Sequence, residues 1–78
     1  MPPFKRGDIV EYVEGPHSIP SRVGSIAIVR GWNTYHGLEI NWVMPTWNHD
    51  APGDREDGIT PTVFRKLTHA SLDERHRI

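Results

Sequence analysis

The chain has 78 residues, 36% of them hydrophobic, with seven glycines, seven prolines and no cysteine. That leaves room for one compact domain with a small core and excludes disulfide staples and thiolate metal sites. A formal net charge of −1 and a pI near 6.5 exclude the overall positive field of a protein held to phosphates by total charge, while leaving a local basic patch open.

No apolar run approaches the roughly 20 residues of a membrane span, and the opening Met-Pro-Pro-Phe-Lys-Arg lacks the apolar centre of a secretory signal. The expectation is a cytoplasmic chain with no membrane partner. It is read as a single domain over 1–78, with a core at 4–67 and a tail at 68–78.

In chain order, Asp8–Glu14 reads as the first strand, with Val10 and Tyr12 as core candidates by strict alternation. Gly15–Ser21 carries two prolines and reads as a loop with Ile19 as its apolar tether. Arg22–Gly31 holds the densest β-branched run, so a central strand is expected over Arg22–Arg30. Its Ile26 and Ile28 face one way and its Ala27 and Val29 the other, the pattern of a strand buried on both sides or sharply coiled. Gly31–Gly37 reads as a turn-rich connection, and Leu38–Met44 as a half-buried strand with Leu38, Ile40 and Trp42 inward, pairing antiparallel with the strand before it.

Pro45–Gly58 shows no strand pattern and reads as a long acidic loop. Ile59–Leu67 resumes an extended pattern around Val63 and Phe64, with Pro61 marking a break. Ser71 followed by Glu74 fits a capping box, predicting one short helical turn in the tail. The fold expected from these elements is all-β: a small barrel of about five strands.

Phe4-Lys5-Arg6-Gly7-Asp8-Ile9-Val10, Gly24–Val29, Ile40-Asn41-Trp42-Val43 and Phe64-Arg65-Lys66-Leu67 together resemble SH3-like barrels of the KOW and related "Lys-x-Gly-Asp-x-Val" families. The resemblance spans most of Phe4–Leu67. It implies a binding scaffold, since KOW-type barrels contact RNA, ribosomal components or RNA polymerase and other SH3-like barrels bind peptides, and it is shared by short phage and bacterial accessory proteins. A fainter similarity of Phe4–Gly31 to the barrel of nitrile hydratase β-type subunits implies an accessory-subunit role. Fold alone does not choose among these.

The candidate contact residues for a protein partner are Trp32, Tyr35 and Trp47, large aromatics in expected connections, with the acidic set Asp50, Asp54, Glu56 and Asp57. Rigid aromatics concentrate binding energy when exposed. The structural account of the same residues is that the aromatics fold back over a core too small to close itself and that the acids form a solvated loop. A second set suits nucleic acid: Lys5, Arg6, Arg22, Arg30, Arg65 and Lys66 at strand ends, with Arg75 and Arg77 adding from the tail and Trp32 or Tyr35 offering a stacking platform. Charged strand ends are equally ordinary on any small domain.

The five histidines, His17, His36, His49, His69 and His76, are scattered, and His49 with Asp50 and Asp54 is the one mixed local cluster. No metal or cofactor is expected from that spacing. Ser18, Ser21, Ser25 and Ser71 show no strand-to-helix elbow, and no glycine-rich phosphate loop opens a helix, so an independent enzyme is not expected. The leading expectation is a monomeric or weakly oligomeric, non-enzymatic module that contacts a protein partner. A nucleic-acid binder and an enzyme's accessory subunit are the alternatives.

Overall fold

The computed structural model describes residues 4–35 and 37–67. Among them the chain forms five strands, β1 (Ile9–Tyr12), β2 (Ile26–Asn33), β3 (Gly37–Met44), β4 (Arg55–Ile59) and β5 (Phe64–Lys66), with 3₁₀ turns at Pro20–Arg22 and Pro61–Val63. All pair antiparallel in one sheet of order β4-β3-β2-β1-β5. The protein is therefore all-β, and the strand that carries the β-branched run lies at the centre. No helix among the described residues is long and apolar enough to cross a membrane.

A single sheet with one apolar face has nothing to pack on except itself, so it coils. Trp42 in β3 and Phe64 in β5 stand three strands apart, about 14 Å across a flat sheet at about 4.8 Å per strand. Their ring centroids are 6.2 Å apart, and Tyr12 lies between them at 6.3 and 5.5 Å. On the concave face, Val10, Ala27, Val29, Leu38, Ile40, Val63 and these three rings form one buried cluster. The alternation in β1 and β3 is as expected: Val10, Tyr12, Leu38, Ile40 and Trp42 are all buried.

Several boundaries differ from the expectation, each for a local reason. The first strand is shorter than Asp8–Glu14, because Val13 leaves the ladder with β2 and donates its N–H to the Val63 carbonyl at 2.7 Å. The central strand starts at Ile26 and runs on to Asn33, while Arg22 belongs to a 3₁₀ turn. Proline at the first position of that turn has no N–H to leave unpaired. Ile26 and Ala27 are both buried, but Ile28 is 38% exposed, so the burial on both faces expected of β2 holds only at its start. The expected loop over 45–58 ends instead in β4, an edge strand so polar that only its pairing with β3 identifies it. The capping box at Ser71–Glu74 lies outside the described residues.

Register shifts at three places, between Ile26 and Ala27, between Val29 and Gly31, and between Leu38 and Ile40, and the last two re-aim side chains. Register shifts between Val29 and Gly31, so Arg30 is the extra residue, Gly31 faces Glu39 and Trp32 faces the buried Leu38. Trp32 thus sits on the concave side of the sheet, although strict alternation from Val29 puts it on the convex side. In β4 the register shifts between Leu38 and Ile40, whose partners are Ile59 and Glu56. Gly58, with φ +77, absorbs the extra residue in a backbone region that glycine enters without strain. Both Glu56 and Ile59 are thereby turned to the concave face.

Candidate functional site

Bringing Glu56 inward places a carboxylate at the edge of an apolar core, where it needs a partner. Arg22 supplies it. The loop between β1 and β2 is tethered where the Ile19 N–H donates to Tyr12 Oη at 2.8 Å, and the 3₁₀ turn then directs Arg22 back under the sheet. Ser25 and Thr46 lock this loop to the β3–β4 loop: Thr46 N–H donates to Ser25 Oγ at 2.9 Å, and Thr46 Oγ1 donates to the Ser21 carbonyl at 2.7 Å.

The guanidinium is held on both sides. Nε and Nη2 donate to Asp50 Oδ2 and Oδ1 at 3.0 and 2.9 Å, and Nη1 and Nη2 donate to Glu56 Oε2 and Oε1 at 2.8 and 2.7 Å. The guanidinium carbon lies over the Trp42 and Trp47 rings, 5.1 and 4.9 Å from the two centroids, and Trp42 Nε1 also donates to Glu56 Oε1 at 3.3 Å. Burial alone would lower the Arg22 pKa. Hydrogen bonds and charge from Glu56 and Asp50 more than reverse this and hold it above its ordinary value. Arg22 is a permanently charged pin.

Beside this pin lies an open cleft of about 340 Å³. Ile19, Gly58, Ile59 and Thr60 line it together with the buried Tyr12 and Val63, and Arg22 and Glu56 of the ion cluster belong to the same lining. His17 stands at the rim with φ +68; it is the one non-glycine among the described residues with positive φ, a conformation that imidazole side chains tolerate better than most. A second hollow, about 380 Å³, is lined by Arg30, Arg55, Glu39, Glu56, Asp57 and Ile40. Cations and carboxylates interleave there.

Among the described residues no group of three or more His, Cys, Asp or Glu side chains could hold a metal ion, and every buried side-chain nitrogen and oxygen has a partner. The features the described residues build are an ion cluster and an open cleft beside it. Compared with protein-family models, curated proteins and solved structures, the chain matches none.

The structure regroups the candidate residues. Arg22, from the basic set, is joined to Asp50, Glu56 and Trp47 from the other set, so these side chains satisfy one another; Asp50 keeps only 6% of its side chain exposed. Trp47 also meets the His49 ring edge-on at 4.7 Å. Asp54 accepts from the Ala51 N–H at 3.1 Å, which shapes the loop, and Asp57 is exposed on β4.

Trp32 and Tyr35 lie at the opposite end of the sheet, around the β2–β3 turn, where Tyr35 is 93% exposed and Trp32 partly so. Trp32 is a strand residue and not a loop residue. Lys5 and Arg6 occupy an exposed turn near the middle of β2, fixed by Gly7 N–H donating to the Val29 carbonyl at 2.8 Å. Arg30 donates to Asn41 Oδ1 at 3.1 Å, Arg65 pairs with Glu11 at 2.6 Å, and Lys66 approaches Asp8 at 3.6 Å. Arg75, Arg77, His36, His69 and His76 lie outside the described residues.

Sequence reasoning did not single out Tyr12, Ile59, Thr60 or Val63 as site residues. The available signal was weak: a lone apolar Ile19 between two prolines, and a glycine immediately before Ile59.

Proposed function

We propose that the chain is a non-enzymatic binding module of the SH3-like, KOW-related kind and that it takes a segment of a protein partner into the cleft between Ile19 and Thr60. The observation that carries this reading is the pairing of an open, mostly apolar cleft with a wall that the Arg22 cluster holds rigid. Binding to a preformed surface avoids the entropy of ordering it. The strand order, with β1 paired between β2 and β5 and a 3₁₀ turn before β5, supports the barrel assignment. The module is read as cytoplasmic. An accessory-subunit role is the case in which the partner is an enzyme.

One observation favours a second reading. Lys5 and Arg6 stand exposed beside β2, toward the end that displays Trp32 and Tyr35. Basic residues beside exposed aromatics suit single-stranded nucleic acid.

A photo-crosslinking residue placed at Ile19 or Thr60, and separately at Arg6 or Tyr35, distinguishes the two in a native lysate treated with or without nuclease. Protein adducts from Ile19 and Thr60 that survive nuclease are expected. Adducts confined to Arg6 and Tyr35 and abolished by nuclease would replace the first reading with the second.

A further inference from the structure

We infer that the cleft beside Arg22 accepts a basic side chain, a lysine or arginine presented by an extended partner segment; this rests on the protein-binding reading above and names the chemistry of that site. Three observations converge on it. Much of the lining is apolar: Ile19 is 37% exposed, and Ile59, Val63 and Tyr12 are buried residues that line the same cleft. An aliphatic stem of three or four methylenes buries well against such walls while its charged head stays solvated.

The head group meets Glu56. That carboxylate lines the cleft and keeps 33% of its side chain exposed, in contrast to Asp50. An ionised carboxylate offers about four acceptor positions. Glu56 Oε1 already accepts from Arg22 Nη2 and Trp42 Nε1, whereas Oε2 accepts from Arg22 Nη1, so Oε2 has room for one more donor.

Charge decides the sign of the ligand. One guanidinium faces two carboxylates in the cluster, leaving an excess of one negative charge. Arg22 itself is buried and four of its five N–H donors are taken by Asp50 and Glu56, so an incoming anion would find one N–H beside two carboxylates. A carboxylate or phosphate entering here would meet the like charge of Glu56, which lines the cleft and is partly exposed. A neutral apolar side chain would fill the walls and leave Glu56 with no new contact. A cation on an apolar stem satisfies both.

The test is an amide and indole NMR titration of the ¹⁵N-labelled full chain with Ac-Ala-Ala-Lys-Ala-Ala-NH₂ and with its norleucine and glutamate counterparts. Norleucine keeps most of the stem and removes the ammonium. The expected result is a set of shifts at Ile19, Gly58, Ile59, Thr60 and the Trp42 indole with the lysine peptide, and binding weaker by about tenfold with norleucine, the loss of one charge-assisted contact. Glu56→Gln should weaken the lysine peptide by a similar factor. Because that change also touches the Arg22 cluster, Ile19→Ala provides a second variant that removes a wall without touching the cluster and should weaken both the lysine and norleucine peptides. Equal binding of lysine and norleucine peptides, preference for the glutamate peptide, or no shift at the cleft with any of them would overturn the inference. Nuclease-resistant protein crosslinks from Ile19 alongside such a result would leave the protein-binding reading standing and remove only the basic side chain; nuclease-sensitive crosslinks from Arg6 and Tyr35 would remove both.

Discussion

Arg22 and Asp50, 28 residues apart in the chain, meet through two parallel hydrogen bonds of 3.0 and 2.9 Å. Two-pronged pairing of a planar guanidinium with a carboxylate fixes orientation as well as distance. Here it joins the β1–β2 loop to the β3–β4 loop, and Glu56 extends the same link to edge strand β4. The wall of the cleft is rigid because three separate segments end on one side chain.

Arg22→Ala should therefore be among the most damaging single substitutions. It leaves Asp50 buried without its partner, a change that costs about 3–5 kcal/mol, and small domains have little stability in reserve. Arg22→Lys keeps the charge but loses the fork and should cost about 2 kcal/mol. Urea denaturation followed by tryptophan fluorescence measures both.

The pH dependence of that contribution follows from the direction of the shift. The folded-state pKa of Arg22 is raised, so its stabilisation is fully present below the ordinary arginine value and is lost only as pH climbs through the raised one. The stability gap between the parent chain and Arg22→Ala should be unchanged between about pH 7 and about pH 9.5. Paired urea titrations at the two values check this.

The two acids should respond unequally. Asp50 has 6% of its side chain exposed and Glu56 33%, and water offsets more of the loss at the wetter site. Asp50→Asn is expected to cost about 2 kcal/mol and Glu56→Gln about 1 kcal/mol. Thermal melts resolve the difference, since 1 kcal/mol moves the Tm of a domain this size by about 4–8 °C.

The aromatic residues should separate in the same way. Trp47→Leu removes one of the two cation–π contacts of Arg22, worth about 1 kcal/mol, and should raise the urea sensitivity of the fold. Tyr35→Ser, at a site 93% exposed, should change stability by less than about 0.5 kcal/mol.

Gly37→Ala and Gly53→Ala form a controlled pair. Both glycines have positive φ, at +88 and +87, which costs an L-residue about 1–2 kcal/mol. A Cβ at Gly37 would also meet the Ile59 carbonyl oxygen at 3.1 Å, whereas one at Gly53 meets nothing within 4 Å. Gly37→Ala should be the more destabilising by denaturant titration, and it should perturb Ile59 on the cleft wall.

Much of the scaffold is legible in the residue pattern. Hydrophobic alternation identifies Val10, Tyr12, Leu38, Ile40 and Trp42 as core, because a strand's side chains must alternate and the main apolar cluster lies on one face of this sheet. The β-branched run locates the central strand. Strand β4 is not legible: Arg55-Glu56-Asp57-Gly58 carries no apolar pattern, and an edge strand is defined by its neighbour's backbone more than by its own side chains.

All-β character, the core positions and the residue types available for contact thus follow from the order of amino acids. Which of those residues act together depends on how the strands are laid against one another. Charge read along the chain divides Arg22 from Asp50 and Glu56, because each looks like solvated surface among its sequence neighbours. Bulges at Arg30 and Gly58 then reverse the side-chain alternation, turning Trp32 and Ile59 inward. Ion pairing over 28 and 34 residues and a one-residue slip in register are properties of strands lying side by side, and local sequence patterns do not record either.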